Sequence, residues 1–260
     1  MIDLLRPPRV GRRAIRVWQR NRDVWYKLYL ASLVGNLGEP ILFLLAFGLG
    51  LSRFVGSVGG VPYIRFIAPG LVVSAAMNAS AFECTYGSFI RMTEQKTYDA
   101  IMVTPVNVEE VAAGDILWGM SKGFISAVII VPVFAIAGLM RSPWLLLSPA
   151  LALFTGLMFS SMSLLVTAFA PSFEFFTYYF TLVISPMFFF SGVFFPLSAM
   201  PPWVGKAAWY FPLTHAVNLM RGLAWGGLQP SLIGDALWMF VFTLVSTWLG
   251  IKLIKRRLIK

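Results

Sequence analysis

Charged residues are scarce in this chain. Only 12% of its 260 residues are Asp, Glu, Lys or Arg, against about 25% in a typical soluble domain. Hydrophobic residues make up 58%, and the mean hydropathy is +0.77. A water-exposed surface cannot be built from this composition, so we predict an integral membrane protein.

Cysteine and histidine are also scarce, and the motif of a phosphate-binding loop is missing, which limits the kinds of site that the chain can form. Cys84 is the only cysteine and His215 the only histidine, which excludes an internal disulfide and a thiolate cluster and disfavours a metal or catalytic role for His215. We expect Cys84 to be a small buried hydrophobe. The pattern G-x-x-x-x-G-K-[ST] is also missing, so we predict no phosphate-binding loop and no bound cofactor in this chain.

What the chain has instead is six long apolar runs. A helix needs about 20 apolar residues to cross a hydrocarbon core roughly 30 Å thick, and lipid offers the backbone no hydrogen-bond partners. We therefore predict an all-α membrane protein with six transmembrane helices. The predicted spans are 28–51, 66–90, 111–139, 144–170, 175–195 and 231–254.

The basic residues predict the orientation. Eight lie in residues 1–27 and five in the C-terminal tail, so both termini should be cytoplasmic. With six spans, fifteen basic residues fall inside and five outside. The net charge of +10 then indicates attraction to anionic lipid rather than to nucleic acid. The first apolar run exceeds the 7–15 residues of a signal-peptide core, so we expect residue 1 to be retained.

Residues 1–27 predict an amphipathic helix on the inner membrane surface. Ile15, Trp18, Trp25 and Leu28 recur at helical spacing among arginines. A disordered basic leader is the alternative, and the two tryptophans argue against it because indole rings favour the membrane interface.

The segment 91–110, between the second and third spans, predicts a short cytoplasmic helix. Tyr98, Ile101 and Met102 fall at i, i+3 and i+4, and Thr104 precedes a proline, which ends helices. This helix either docks a soluble partner or is a solvated connector.

The segment 196–230, between the fifth and sixth spans, is too apolar for an aqueous loop and too rich in proline for one spanning helix. Re-entrant or interfacial helices fit best, and such backbone must be buried by protein or line a water-filled path. We therefore expect it to close or shape a pathway. The gate candidates are Pro196, Trp203, His215 and Arg221.

Acidic residues fall within the predicted spans. Charge there is costly, so each group should face protein or water. Glu39 and Glu83 either bind polar groups of a substrate or fix helix packing. Asp115 and Lys122 lie two turns apart near the inner end of one span, and we predict that they pair.

Aromatic residues crowd the fifth span. Their rings either stack on sugars and line a path for acyl chains or simply pack against helices and lipid. The candidates for the pathway are Tyr178, Tyr179, Phe189 and Phe195. In the fourth span, Gly156 and Ser160 are small enough to permit close helix approach.

Several runs together resemble a known family. Ser191-Gly-Val-Phe-Phe-Pro196, followed by Pro201-Pro202-Trp203, Pro212-Leu-Thr-His215 and Arg221-Gly222, is similar to the signature of type-2 ABC transporter permeases, the ABC-2 class. Trp25-Tyr-Lys-Leu28, Gly35-Asn-Leu-Gly-Glu-Pro40 and Phe47-Gly-Leu-Gly-Leu51 look most like the nodulation-type exporters of lipo-oligosaccharides. The similarity covers nearly the whole chain.

This resemblance implies a permease of the bacterial inner membrane that pairs with itself and with two P-loop ATPase subunits, which would carry the ATP and magnesium. Residues 1–27 would be the interface helix and residues 28–260 the six-span domain. The substrate would be a lipid-linked or amphipathic oligosaccharide, although other members of the class move hydrophobic drugs or polysaccharides. The segment 91–110 would be the coupling helix on the ATPase, with Glu94, Gln95, Tyr98, Ile101, Thr104 and Pro105 as its contacts.

Two functions from other classes stay open. An ion-coupled secondary transporter is favoured by Glu39 and Glu83, but the sequence has no evident repeated half. A membrane-embedded enzyme acting on lipid would need a paired acid and base, a metal site or a nucleophile beside a histidine, and no such spacing is recognisable.

Overall fold

The computed structural model describes residues 7–27, 29, 38–140, 142–227 and 229–259, apart from the side chain of Arg53. Most of the N-terminal half of the first predicted span, residues 28 and 30–37, lies outside these ranges, and so does Leu28 of the predicted amphipathic face.

Among the described residues, four helices are long and apolar enough to cross a membrane: α3 (Tyr63–Glu94), α5 (Val108–Ile136), α6 (Pro143–Phe169) and α10 (Ser231–Leu258). They match the second, third, fourth and sixth predicted spans. Two shorter apolar helices, α2 (Gly38–Leu51) and α7 (Phe175–Phe190), occupy the places of the first and fifth.

The fifth predicted span is too long at its C-terminal end. Helix α7 ends at Phe190, and Gly192 follows with φ +80°, a left-handed conformation that glycine adopts without steric cost. The chain turns here, so residues 191–195 leave the helix.

Helix α1 (Ala14–Tyr26) buries Ala14, Val17 and Asn21, which lie on one face at spacings of three and four. This face packs on α5, where Gly114 makes room: a Cβ there would lie 2.5 Å from the Cβ of Val17. Ile15, predicted on the apolar face, is exposed. The helix docks on α5 through a different face, so the membrane-facing role of Ile15 stays a prediction.

A small hairpin departs from the all-α prediction. Strands β1 (Ser57–Val58) and β2 (Val61–Pro62) pair antiparallel. Gly59 and Gly60, between them, both have positive φ, as a tight two-residue hairpin turn requires.

The bundle centre is a crossing of α3, α5 and α6 at small residues. A Cβ on Gly119 of α5 would lie 2.4 Å from Ser160 Oγ and 2.5 Å from Cys84 Sγ, and one on Gly156 of α6 would lie 2.8 Å from the Met120 carbonyl oxygen. Cys84 is fully buried, as predicted. Small residues thus bring these three helices close together.

The connection between α3 and α5 contains α4 (Thr97–Met102), where the sequence predicts a short helix. Lys96, with φ +53°, turns the chain into it. After Thr104 and Pro105, Asn107 caps α5 by accepting a hydrogen bond from Glu110 N, while the Glu110 carboxylate accepts from Asn107 N. Such reciprocal capping fixes where α5 begins.

The segment after α7 is broken into short helices, as its prolines predict. It contains a 3₁₀ turn (Leu197–Ala199), α8 (Pro202–Ala208) and α9 (Pro212–Trp225). Both α8 and α9 begin with proline, which is well suited to the first helical position. Helix α9 packs on α3 and α10.

Candidate functional site

A cavity of about 600 Å³ lies between α2, α3, α5 and α7. Its size is typical of ligand pockets, which hold roughly 300–1,000 Å³. We call it the aromatic cavity. It brings the two acids singled out from the sequence together with the aromatic helix α7. It is lined by Glu39, Pro40, Ala75, Asn78, Ala79, Phe82, Glu83, Lys122, Phe180, Ile184, Ser185 and Phe188.

The polar groups of the aromatic cavity are partly paired. Asn78 Nδ2 donates to Glu39 Oε1 at 3.3 Å, and Arg91 Nη1 donates to Glu83 Oε1 at 2.6 Å. Lys122 Nζ lies 5.6 Å from the centre of the Trp25 ring. The cavity therefore offers carboxylates, an amide and an ammonium between apolar walls.

Two of the helices around this cavity have π-helical turns beside it. These are Glu83–Gly87 in α3 and Phe180–Ile184 in α7. A π-turn inserts an extra residue and is frequent at functional sites. Glu83, Phe180 and Ile184, which line the cavity, all belong to these turns.

The aromatic pathway candidates lie elsewhere. Tyr178 is 65% exposed and Phe189 and Phe195 are also exposed, whereas Tyr179 is buried with its hydroxyl 3.0 Å from Ser163 Oγ. None of the four lines the aromatic cavity. The rings of α7 that do are Phe180 and Phe188. With Ile184 they recur every four residues, but Phe175 and Tyr179 share this spacing, so the sequence alone does not single them out.

A buried carboxylate, Asp115 of α5, ties four helices together near the start of α5. It accepts hydrogen bonds from Asn21 Nδ2 at 2.7 Å, Ser88 Oγ at 2.7 Å, Arg91 Nη2 at 3.1 Å and the Tyr98 hydroxyl at 2.5 Å. These donors belong to α1, α3 and α4. We call this group the Asp115 junction.

The predicted pairing of Asp115 with Lys122 is wrong. Arg91 takes that place, since its position one turn from the end of α3 lets it reach both Asp115 and Glu83. Burial, together with the Asp115 charge, raises the pKa of the Tyr98 phenol well above its ordinary value. The hydroxyl therefore stays protonated and donates to the carboxylate.

The coupling candidates divide into an outward and an inward set. Glu94, Gln95, Thr104 and Pro105 are exposed, whereas Tyr98 is 1% exposed. Tyr98 therefore cannot form part of an exposed docking face, because its ring packs into the bundle.

A groove of about 420 Å³ separates α4 from α1. Gln95, Ile101 and Thr104 line one side, and Arg16 and Arg20 of α1 line the other. Nearby, Arg13 donates to the carbonyl oxygen of Pro105. The helices α1 and α4 thus form one composite surface, which we call the α1–α4 groove.

Sequence reasoning missed a second buried carboxylate, Glu109. It accepts from Lys252 Nζ at 3.0 Å, from Lys255 Nζ at 3.1 Å and from the backbone N–H of Arg9. Its place in the first turn of α5 was the available signal, because acids are favoured near helix N-termini. Glu109 links the start of α5 to the end of α10.

His215, a gate candidate, is a buried connector. Its Nδ1 lies 2.5 Å from Asp235 Oδ1 and its Nε2 lies 2.8 Å from the Trp209 carbonyl oxygen. Because a carbonyl only accepts, Nε2 carries a proton. The ring also stacks on Trp238 with centres 4.4 Å apart. His215 thus holds the end of α8 and helix α9 against α10.

Arg221 is a second connector. It donates to the Gly192 carbonyl oxygen, and its guanidinium carbon lies 4.0 Å from the centre of the Phe66 ring. It therefore joins α9 to α3 and to the turn after α7. Of the other gate candidates, Pro196 leads into the 3₁₀ turn and Trp203 is exposed.

Comparison with known proteins identifies the family. The profile described as ABC-2 type transporter matches residues 14–225. The chain belongs to the ABC-2 family.

Its relatives include bacterial nodulation proteins. The chain is 38% identical over 253 residues to Nodulation protein J of Rhizobium meliloti (strain 1021), with 96% of each chain covered. It is 37% identical over 249 residues to Nodulation protein J of Rhizobium leguminosarum bv. trifolii, with 95% of this chain and 94% of the relative covered. It is also 25% identical over 215 residues to the inner membrane transport permease YadH of Escherichia coli (strain K12), with 82% and 81% covered.

The resemblance seen in the sequence is thereby confirmed, and the chain is a multi-pass membrane permease subunit. In this ABC-2 permease the aromatic cavity lies in the bundle, while the Asp115 junction and the α1–α4 groove lie at the end of the bundle where α5 begins. Arg91 connects the two regions, because it binds Asp115 in the junction and Glu83 at the cavity.

Proposed function

We propose that the chain is the membrane subunit of an ATP-driven exporter that moves an amphipathic, lipid-linked oligosaccharide from the inner leaflet outward. It would act as a homodimer with two P-loop ATPase subunits in a bacterial inner membrane. Six spans, cytoplasmic termini and a re-entrant segment 196–230 complete the proposal. The aromatic cavity is the observation that carries it.

The cavity walls suit a substrate with two kinds of surface. Phe82, Phe180 and Phe188 offer rings for acyl or sugar faces, while Glu39 and Asn78 offer hydrogen-bonding groups. This combination favours a glycolipid over a hydrophobic drug.

The α1–α4 groove is suited to a soluble partner. It lies beside Val103, an apolar residue that is 86% exposed although it follows α4 directly. The basic residues Arg16 and Arg20 on its other wall would attract an acidic surface. We propose that the ATPase docks here and that α4 passes its movement to the bundle through Tyr98.

A second copy of the chain would cover the outer face of α7. Tyr178, Leu182 and Phe189 are large apolar residues exposed along this helix, and so is Phe82 at the cavity. Two such faces would enclose the aromatic cavities between the subunits.

The secondary-transporter alternative is disfavoured by the pairing of Glu83. Its carboxylate is bound by Arg91 at 2.6 Å, so a cation of the chain already occupies the place that a transported cation would take. Glu39 retains only the amide of Asn78 as its partner in the described part of the chain, so it is the residue to test.

The experiment is reconstitution of the chain with its ATPase in proteoliposomes that contain a fluorescent glycolipid. We expect the label to change leaflet only with ATP, and we expect no transport when the P-loop lysine of the ATPase is replaced. Transport driven by a proton gradient without ATP, and lost in Glu39→Gln, would establish the secondary transporter instead.

A further inference from the structure

A second cavity, of about 290 Å³, lies beneath α1 at the inner end of the bundle. Its walls come from α1, the last turns of α3, and α5. It shares two lining residues, Glu83 and Lys122, with the aromatic cavity. The two cavities are therefore neighbours that meet at this pair. We call the second one the vestibule.

The vestibule differs from its neighbour in chemistry. Trp25 and Trp118 line it, with ring centres 6.1 Å apart, and no phenylalanine does so. Arg20, Asn21 and Gln95 add donors and acceptors. Within the described ranges the indole N–H of Trp25 has no hydrogen-bond acceptor, so one donor beside this space is unsatisfied.

The order of the two cavities along α3 follows the depth of the bilayer. Asn78 in the aromatic cavity lies near the middle of α3, and Arg91 in the vestibule lies one turn from its inner end. At 1.5 Å per residue these positions are roughly 20 Å apart. Tryptophan and arginine are suited to the membrane–water interface, and phenylalanine is suited to the hydrocarbon core. The two cavities therefore match the polar head and the apolar tail of an amphiphile in the inner leaflet.

We propose that the vestibule binds the sugar head of the transported amphiphile while its acyl chain lies in the aromatic cavity. The inference rests on the proposed function and deepens it. The sugar head would stack on Trp25 and form hydrogen bonds with the amides and charged groups around it. Glu83 and Lys122 would lie at the boundary between the sugar head and the acyl chain of the amphiphile.

The vestibule carries charges of both signs, since Arg20, Arg91 and Lys122 line it together with Glu83, and this mixture suits the hydroxyls of a sugar head. Arg91 already binds the carboxylates of Asp115 and Glu83. Sugar hydroxyls donate and accept, so they can bond to the cations and to the carboxylate alike.

The test uses the full chain in nanodiscs of phosphatidylcholine with two photoreactive forms of hexadecyl lactoside. One carries a diazirine on the sugar and the other carries it at the end of the chain. After illumination, labelled peptides are identified by mass spectrometry. We expect the sugar probe to label the peptides around Trp25 and Trp118, and the chain probe to label the peptide that contains Phe180 and Phe188.

Trp25→Ala should lower labelling by the sugar probe about fivefold to tenfold, as expected for one lost ring contact. The matched control is Tyr26→Ala, because Tyr26 is the next residue of α1, is exposed and does not line the vestibule. We expect this control to label like the unchanged chain, and excess free lactose to compete with the sugar probe.

Three results would overturn the inference: labelling by the sugar probe only in the aromatic cavity, labelling spread over the lipid-facing surface, or competition by phosphatidylglycerol but not by lactose. The last would show an anionic lipid site. If ATP-driven transport of the glycolipid occurs while the vestibule stays unlabelled, this inference alone fails. If transport is also absent, the proposed function fails with it.

Discussion

Replacing Asp115 by Asn should weaken the bundle at the Asp115 junction. The substitution keeps the shape of the side chain but removes the charge that faces Arg91. Breaking a buried ion pair typically costs 3–5 kcal/mol because the other charge is left uncompensated. Arg91 keeps Glu83 at 2.6 Å, and its side chain is 12% exposed. We therefore expect a loss near the lower limit, about 3 kcal/mol.

Tyr98→Phe should remove one part of the same junction. It deletes a hydrogen bond to a carboxylate, which is worth about 1.5–3 kcal/mol. If the junction acts as a unit, the double variant Tyr98→Phe with Asp115→Asn should lose less than the sum of the two single losses, by about 1 kcal/mol or more.

The measurement is reversible unfolding in mixed micelles, followed by tryptophan fluorescence. Asp99→Asn and Tyr178→Phe are matched controls, because both residues are exposed. Asp115→Asn and Asp99→Asn variants of equal stability would refute the reasoning, since the Asp115 carboxylate would then contribute nothing that an amide does not. Additive losses in the double variant would show that Tyr98 and Asp115 act independently.

Three further predictions concern other parts of the bundle. Gly123→Ala should impair folding, seen as a lower yield of monodisperse protein, because the new Cβ would lie 2.4 Å from Ser80 Oγ and 3.0 Å from backbone atoms. Gly234→Ala should not, because its Cβ would have no described atom within 4 Å. His215→Phe should keep the stacking on Trp238 but lose both hydrogen bonds, which together contribute about 2 kcal/mol. Hydrogen exchange in α8 and α9 should become faster, and unchanged exchange would show that these bonds do not hold the segment. Glu109→Gln should weaken the contacts of Glu109 with Lys252 and Lys255 at the end of α10, so trypsin should cleave faster after these two lysines. In the control variant Glu174→Gln, at an exposed site, cleavage should be as slow as in the unchanged chain.

Much of the architecture could be predicted from local sequence. Hydropathy indicated α3, α5, α6 and α10, because an apolar run of spanning length has few other stable environments. The prolines indicated the broken segment after α7, and the spacing around Tyr98 indicated α4. These features depend on residues near one another in the chain, which is why pattern alone sufficed.

The pairings within the site could not be predicted in this way. Asp115 and Lys122 share a helix face by spacing, yet Asp115 binds Arg91 of another helix. The π-turns at Glu83 and Phe180 each insert a residue, which rotates the following side chains by about 100° from their regular positions. A helical projection therefore misjudges which rings and charges face the cavity.

The sequence by itself determined three things: that this chain is a membrane protein, which residues form most of its helices, and which family it belongs to. Hydropathy and family motifs are properties of neighbouring residues in the chain, so they can be read without the tertiary structure. Only the tertiary structure decided that Tyr98 faces inward, that Phe180 and Phe188 rather than Tyr179 line the cavity, and that Arg91 joins the cavity to the Asp115 junction. The physical reason is that a buried charge or ring takes its partner from whichever helix packs beside it, and that choice depends on helix rotation and close approach at small residues.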